Sequence, residues 1–208
     1  MSKRSFLIGY KLIFSLLAFS AIITEIATIA ERGRFVPINF FGYFTVESNL
    51  FAAAVLLLSA LAVAQNSSAT HRRLSLLRGA ATVYMATTGI VFALLLSGLN
   101  VELTAVPWDN IVLHYLMPLA LVADWLIQRP AFEIQLRQAV PWLIFPVVYV
   151  VYSLIRGWFA GWYPYPFLDP ATNGYAGVAV TSLGIALLEV ALIWLAIQFG
   201  PAKTRTRR

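Results

Sequence analysis

The sequence predicts an all-α polytopic membrane protein: one domain over residues 1–208, six transmembrane helices and both termini cytoplasmic. Three observations carry this. Of the 208 residues, 60% are hydrophobic and only 12% charged; soluble domains run nearer 45–50% apolar and about 25% charged, so this chain could not cover itself with polar surface. Its mean hydropathy is +0.78. Finally, six apolar runs each approach the roughly 20 residues needed to cross a bilayer, which leaves connectors too short for a second domain.

The first run, Phe6–Ala30, is closed by Gly33 and Pro37, and the second, Phe44–Ala64, by Asn66-Ser67-Ser68. Such residues break helices or favour turns. Gly98 ends the third run, Leu77–Ser97, with Pro107 beyond it, and Pro130 follows the fourth, Asn110–Ile127. The fifth, Ala139–Trp158, gives way to the stretch from Gly161 to Gly174, after which Tyr175–Phe199 forms the sixth. No internal repeat is visible. The basic start, apolar run and small residues near Thr28–Ala30 also fit a signal peptide. However, a run of about 25 residues exceeds an h-region of roughly 7–15, and Lys11 interrupts it, so a retained helix is expected.

The net charge of +6 and pI near 9.8 point to nucleic acid only if the location of the charges is ignored. Lys3, Arg4, Lys11, Arg72, Arg73, Arg78, Arg129, Arg137, Lys203, Arg205, Arg207 and Arg208 fall on alternate connections and the termini. Only Arg32, Arg34 and Arg156 fall on the other face. Twelve against three places both termini in the cytoplasm by the positive-inside rule, and no nucleic-acid partner is expected. The chain has no cysteine and two histidines, which excludes disulfides, a cysteine nucleophile and multi-histidine metal or haem centres. Neither a metal nor a cofactor is expected.

Polar residues inside a bilayer are costly and call for a reason. With a rise of about 1.5 Å per residue, Glu25 lies near the outer end of the first helix. Thr45, Glu47, Ser48 and Asn49 occupy the first two turns of the second helix, His114 follows Asn110 by one turn, and Arg156 sits in the last turn of the fifth. Four helices thus bring polar groups to the outer third. Thr45, Ser48 and Asn49 stand at i, i+3 and i+4 on one face, and the small Ala52 and Ala53 after them permit close approach of another helix. Plainer readings stand beside this one. Thr45 is a possible N-cap with Glu47 favoured by the helix dipole, His114 a polar link between helices, and Arg156 a snorkelling anchor. Asp124, near the cytoplasmic end, is expected to reach water or Arg129. Glu189, near mid-helix, must be protonated, paired or in a wet cavity. The connector GWFAGWYPYPFLDPATNG, from Gly157 to Gly174, reads equally as an interfacial aromatic belt or as the rim of a lipid-binding opening.

Three local patterns then act together: FTVESN around Thr45, the W-x-N-x-x-x-H spacing of Trp108, Asn110 and His114, and YPYPFLDP from Tyr163 to Pro170. In this order they resemble the androgen-induced protein family of six-helix membrane proteins and its bacterial relatives, as does LLEV around Glu189. The resemblance covers helices two to six. It implies a threonine hydrolase of lipid esters, such as fatty acid esters of hydroxy fatty acids, in a bacterial plasma (inner) membrane with its site towards the outer face. Thr45 falls on the nucleophile and His114 on its partner. The sequence departs from the animal enzymes at Ser48-Asn49, and at Arg156-Gly157-Trp158, where an animal member has histidines.

A threonine hydroxyl is a weak nucleophile that needs an adjacent base, and histidine titrates near working pH. Ser48, Asn49, Asn110 or the free N–H groups of the second helix are candidates to support the pair or hold an oxyanion. Arg156 is the candidate for a substrate carboxylate, with Trp108, Tyr163, Tyr165 and Phe167 as aromatic substrate contacts. Glu25 and Glu189 are intramembrane acids without an assigned role. The alternative is a non-enzymatic lipid-binding or transport protein using the same outer cavity. A serine protease lacks the G-x-S-x-G stretch, and a metal site on Glu25, Glu47 and His114 is short of ligands.

Reporter fusions after the C-terminus and at residue 170 are expected on opposite sides of the membrane; the same side for both would overturn the topology.

Overall fold

The computed structural model describes residues 2–65, 71–99 and 104–199. The Asn66–Ser68 turn and the basic tail from Lys203 to Arg208 lie outside the described residues. Six helices are long and apolar enough to cross a membrane, so the chain is a multi-pass membrane protein. They are α1 (Lys3–Glu31), α3 (Phe44–Ala64), α4 (Arg72–Leu96), α5 (Pro107–Ile127), α6 (Leu136–Ala160) and α7 (Pro170–Phe199), with a one-turn α2 (Pro37–Phe40) ahead of α3. No strand occurs among the described residues.

The ends follow local chemistry. The Ser2 hydroxyl accepts the Ser5 N–H at 3.1 Å, an N-cap for α1. Asp169 does the same for α7, its Oδ1 accepting the Ala171 N–H at 2.8 Å. Gly174 then takes φ +65°, which sets one turn apart from the helix proper, and the continuous part begins at Tyr175 as the sequence implies.

The packing is layered from the inside out. α3, α4 and α5 are half or more buried along their apolar stretches, whereas only 17% of the α7 stretch is buried, so α7 presents most of its surface outward. Ala18 and Ala21 of α1 and Ala52 and Ala53 of α3 are all fully buried in one core cluster. The Ser15 hydroxyl donates to the Ala53 carbonyl at 2.9 Å, so α1 is the helix that uses the small face of α3. Gly89 of α4 plays a similar part against α5: a Cβ there would lie 2.9 Å from Pro118.

Two features differ from the sequence reading. Asp124 reaches neither water nor Arg129, which is exposed and donates to the Leu126 carbonyl. Its carboxylate holds Lys11 on one oxygen and Arg78 on the other, through Nε at 2.8 Å and Nη2 at 2.6 Å. All three side chains are buried. Lys11 and Arg78, which look like interfacial charges in sequence, are thus inside the bundle. α4 accordingly starts at Arg72 rather than Leu77, because Arg78 has a carboxylate to meet and need not mark a helix end. The partners are 113 and 46 residues apart, beyond any local pattern.

Removing one partner of a buried ion cluster leaves uncompensated charge and costs about 3–5 kcal/mol. Asp124→Ala, which strands two cations, is therefore expected to destabilise more than Lys11→Met, which leaves the Arg78–Asp124 pair intact. Unfolding in detergent checks the order, and equal losses would contradict it.

Candidate functional site

The site forms where α3 begins. Tyr43, not Thr45, is the N-cap residue, and it makes no side-chain capping bond. The first helical N–H groups go instead to two tyrosines from distant segments. Tyr149 of α6 accepts the Phe44 N–H at 3.2 Å and donates to the Gly42 carbonyl at 3.0 Å. Tyr165, from the aromatic connector, accepts the Thr45 N–H at 3.2 Å. The Val46 and Glu47 N–H groups meet the Tyr43 carbonyl. The start of α3 therefore has no free N–H among these four groups to offer an oxyanion, and the Thr45 hydroxyl is left free of capping duty.

That hydroxyl lies 3.2 Å from His114 Nε2 and 3.3 Å from the Tyr165 hydroxyl. His114 Nδ1 is 3.2 Å from the Asn110 carbonyl. A carbonyl can only accept, so the network assigns the ring hydrogen to Nδ1 and leaves the Nε2 lone pair facing Thr45. This is the tautomer a general base requires. The His114 ring also stacks on Phe92, with centroids 4.1 Å apart at 25°.

His114 owes its direction to an interruption in α5. Residues Val112–Leu116 form a π turn in which the Met117 N–H reaches the Val112 carbonyl. Pro118 has no N–H to give the His114 carbonyl, so the regular ladder fails there and the backbone widens. Phe92 lies at the start of a matching π turn in α4, Phe92–Leu96. Both rings that frame the contact thus come from widened turns.

Around this contact the predicted residues separate into roles. Ser48 and Asn49 are fully buried. Asn49 Nδ2 donates to the carbonyls of Thr45 (2.8 Å) and Leu113 (3.1 Å), and Ser48 reaches the Thr45 carbonyl and Thr88. They fix the Thr45 backbone and tie α3 to its neighbours, with the Asn49 donors already engaged. Asn110 supports His114 through its backbone carbonyl. Tyr165 stacks on Phe167 at 5.0 Å and 9°. Burial pushes the Tyr165 phenol up to about 12, so it stays protonated and able to donate.

Two cavities meet at Thr45. The larger, about 290 Å³, includes Glu25, Arg32, Arg34, Trp162 and His114 in its wall. The smaller, about 60 Å³, is an apolar cleft between α4, α6 and α7 whose wall includes Phe92, Phe167, Leu168 and Glu189. Thr45 and Tyr165 line both. Glu25 accepts the Ala105 N–H at 2.8 Å, and the Glu189 carboxyl is buried without a hydrogen-bond partner. Arg156 is not in either wall: it donates to Asn39 Oδ1 at 2.5 Å and lies over the Trp162 ring at 4.3 Å, bracing residues that are. Trp108 and Tyr163 also lie outside both walls, Tyr163 packing where a Cβ on Gly157 would be 2.0 Å from its ring.

Sequence reasoning missed Tyr149 as a cap, Phe92 as the ring partner and Tyr165 as a direct neighbour of the hydroxyl. One signal was available: Pro118, four residues after His114, marks the carbonyl that the helix cannot pair. No group of three or more His, Asp or Glu side chains placed to hold a metal occurs among the described residues. The chain matches no family model, no curated protein and no solved structure.

Tyr149→Phe removes the acceptor for the Phe44 N–H and is expected to destabilise by about 1–3 kcal/mol, the cost of a buried unpaired group. Tyr152→Phe, at a half-exposed position on the same helix, should be near neutral. Comparable losses in both, measured by thermal unfolding, would remove Tyr149 from the cap.

Proposed function

We propose that the protein is a membrane-embedded ester hydrolase with Thr45 as nucleophile and His114 as its base. One observation carries the proposal: the Thr45 hydroxyl lies 3.2 Å from an imidazole nitrogen whose lone pair is freed by the Nδ1 bond to Asn110. A threonine used as a cap or a packing residue needs neither arrangement. The sequence resemblance to threonine hydrolases points to the same two residues.

In the cycle, Thr45 Oγ1 attacks the ester carbonyl while its proton passes to His114 Nε2. The carbonyl π electrons move to oxygen, and the oxyanion is met by the Tyr165 hydroxyl. Because the Tyr165 oxygen already accepts the Thr45 N–H, its hydrogen is free to turn from Oγ1 to the oxyanion. Collapse breaks the C–O bond, and His114 protonates the departing alcohol. A water deprotonated by His114 then attacks the acyl-threonine and releases the acid, restoring the hydroxyl.

The two cavities support a division of the substrate between them. The acyl chain occupies the apolar cleft, which faces the outer helices, and the alcohol portion occupies the larger cavity, whose wall carries the charged side chains. Arg32 and Arg34, the guanidinium residues in that wall, bind the carboxylate, because Arg156 is engaged by Asn39 and Trp162. The substrate class is therefore a lipid ester whose alcohol portion carries an acid, as a hydroxy fatty acid ester does. With both termini cytoplasmic, as the charge distribution favours, the site faces the outer side.

Purified protein should be labelled by a fluorophosphonate probe and should hydrolyse such esters. Thr45→Ala abolishes both, while Thr45→Ser keeps substantial labelling. His114→Ala abolishes turnover, and the double variant is scarcely worse than either single, since groups acting as a unit are not additive. Tyr165→Phe lowers kcat by about 10²–10³, the usual effect of one lost oxyanion donor. Saturable lipid binding with no labelling and no hydrolysis would make the cavity that of a carrier instead.

A further inference from the structure

The opposite end of the bundle holds a third cavity, of about 310 Å³, lined by parts of α3, α4 and the connection after α5. On α3 it begins at Ser59, fourteen residues beyond Thr45, or about 21 Å along the axis. It shares no wall residue with the cavities at Thr45.

Its ionic character is one-sided. Arg78 and Arg129 are in the wall. Arg78 uses Nε and Nη2 on Asp124, whereas its Nη1 makes no hydrogen bond among the described residues. Asp124 is shared with Lys11, so two buried cations face one carboxylate and a positive charge is left over in a low-dielectric interior. Arg4, on the Ala64 carbonyl, and Arg72, over the Phe132 ring, add cations nearby. The nearby acid, Glu133, is exposed and not in the wall.

Two wall atoms lack partners. Ser59, 2% exposed, has a hydroxyl with no hydrogen bond, as does the buried Oε1 of Gln128. Buried polar atoms in native proteins are almost always paired. Turning the Gln128 amide presents its N–H₂ group instead. The remaining wall is largely apolar, with Ala62, Leu74 and Phe132 among its members.

We propose that this cavity binds a phosphate-bearing anion, with Arg78 Nη1, Arg129 and the Ser59 hydroxyl on the phosphate oxygens. An oxyanion of this kind supplies the acceptors that the free guanidinium and hydroxyl donors lack, and it offsets the excess charge of the Lys11–Asp124–Arg78 cluster. The apolar wall suits the glycerol and first methylenes of an anionic lipid. By the charge distribution this end is cytoplasmic, where anionic lipid gathers. The proposal is independent of the hydrolase reading.

The test uses the full-length protein in phosphatidylcholine nanodiscs, with the thermal midpoint followed against added phosphatidylglycerol and, separately, inorganic phosphate. The expected result is a rise that follows one-site linkage, growing with the logarithm of ligand concentration above the dissociation constant. Ser59→Leu, which fills the cavity and removes one donor while leaving the charged side chains in place, should weaken it about ten-fold or more, as loss of a charge-assisted site does. Arg129→Gln, at an exposed position, should weaken it less and should keep the wild-type midpoint in pure phosphatidylcholine, so it reports even if Ser59→Leu does not fold. A one-site effect of phosphatidylglycerol alone assigns the site to a lipid headgroup, and the same effect with inorganic phosphate assigns it to a soluble anion. The site is refuted by a rise that departs from the one-site logarithmic form, by none in either arm, or by one that Arg129→Gln leaves unchanged.

Discussion

Asp124 is the residue on which one end of the bundle depends. A carboxylate, an ammonium and a guanidinium are each prohibitive alone in an apolar interior, and they become tolerable only together. Lys11 on α1, Arg78 on α4 and Asp124 on α5 therefore fix the relative rotation and depth of three helices at once. Ridge-and-groove packing alone specifies rotation weakly when helices are apolar all round. With these three helices pinned at one end, the other end inherits a defined geometry.

At that other end the same rule acts through neutral groups. The N–H groups at the start of α3 would lie unpaired in an apolar setting, and the hydroxyls of Tyr149 and Tyr165 meet two of them. In a soluble helix water or a serine would do this work. Here the caps arrive from α6 and from the aromatic connector, so helix capping doubles as tertiary docking. The consequence for chemistry is direct. Thr45 is released from capping, and the tyrosine that relieves it ends beside its hydroxyl. The π turn before Pro118 completes the arrangement by aiming His114 at the same point.

The aromatic connector is divided between surface and interior. Phe159 and Trp158 remain exposed, as a belt at a membrane surface requires, while Tyr165 and Leu168 are buried against the site. A single segment is thus exposed along one part and forms cavity wall along the other. Arg156 has a parallel history: a cation near a helix end, read as a ligand for substrate, is engaged by Asn39 and Trp162 and shapes the wall from behind. Its charge is satisfied within the protein, which leaves Arg32 and Arg34 as the cations in the wall of the larger cavity.

The sequence by itself determined the helices, because spanning length and hydropathy are local properties and a bilayer imposes them strictly. The bounds of α3 are the same in sequence and structure, Phe44 to Ala64. The common depth of Thr45 and His114 was also legible, since depth along a helix follows from residue counting and both helices start at one end of the bundle, while their pairing was what the family resemblance implied. Counting gives depth and not azimuth, however. Only the tertiary structure decided which face of each helix turns inward, and with it that Asp124 belongs to Lys11 and Arg78, that Tyr165 stands at the Thr45 hydroxyl, and that Arg156 lies behind the wall. Those outcomes rest on pairings between residues far apart in the chain, where the energy of leaving a polar group unpaired, not any local propensity, selects the partner.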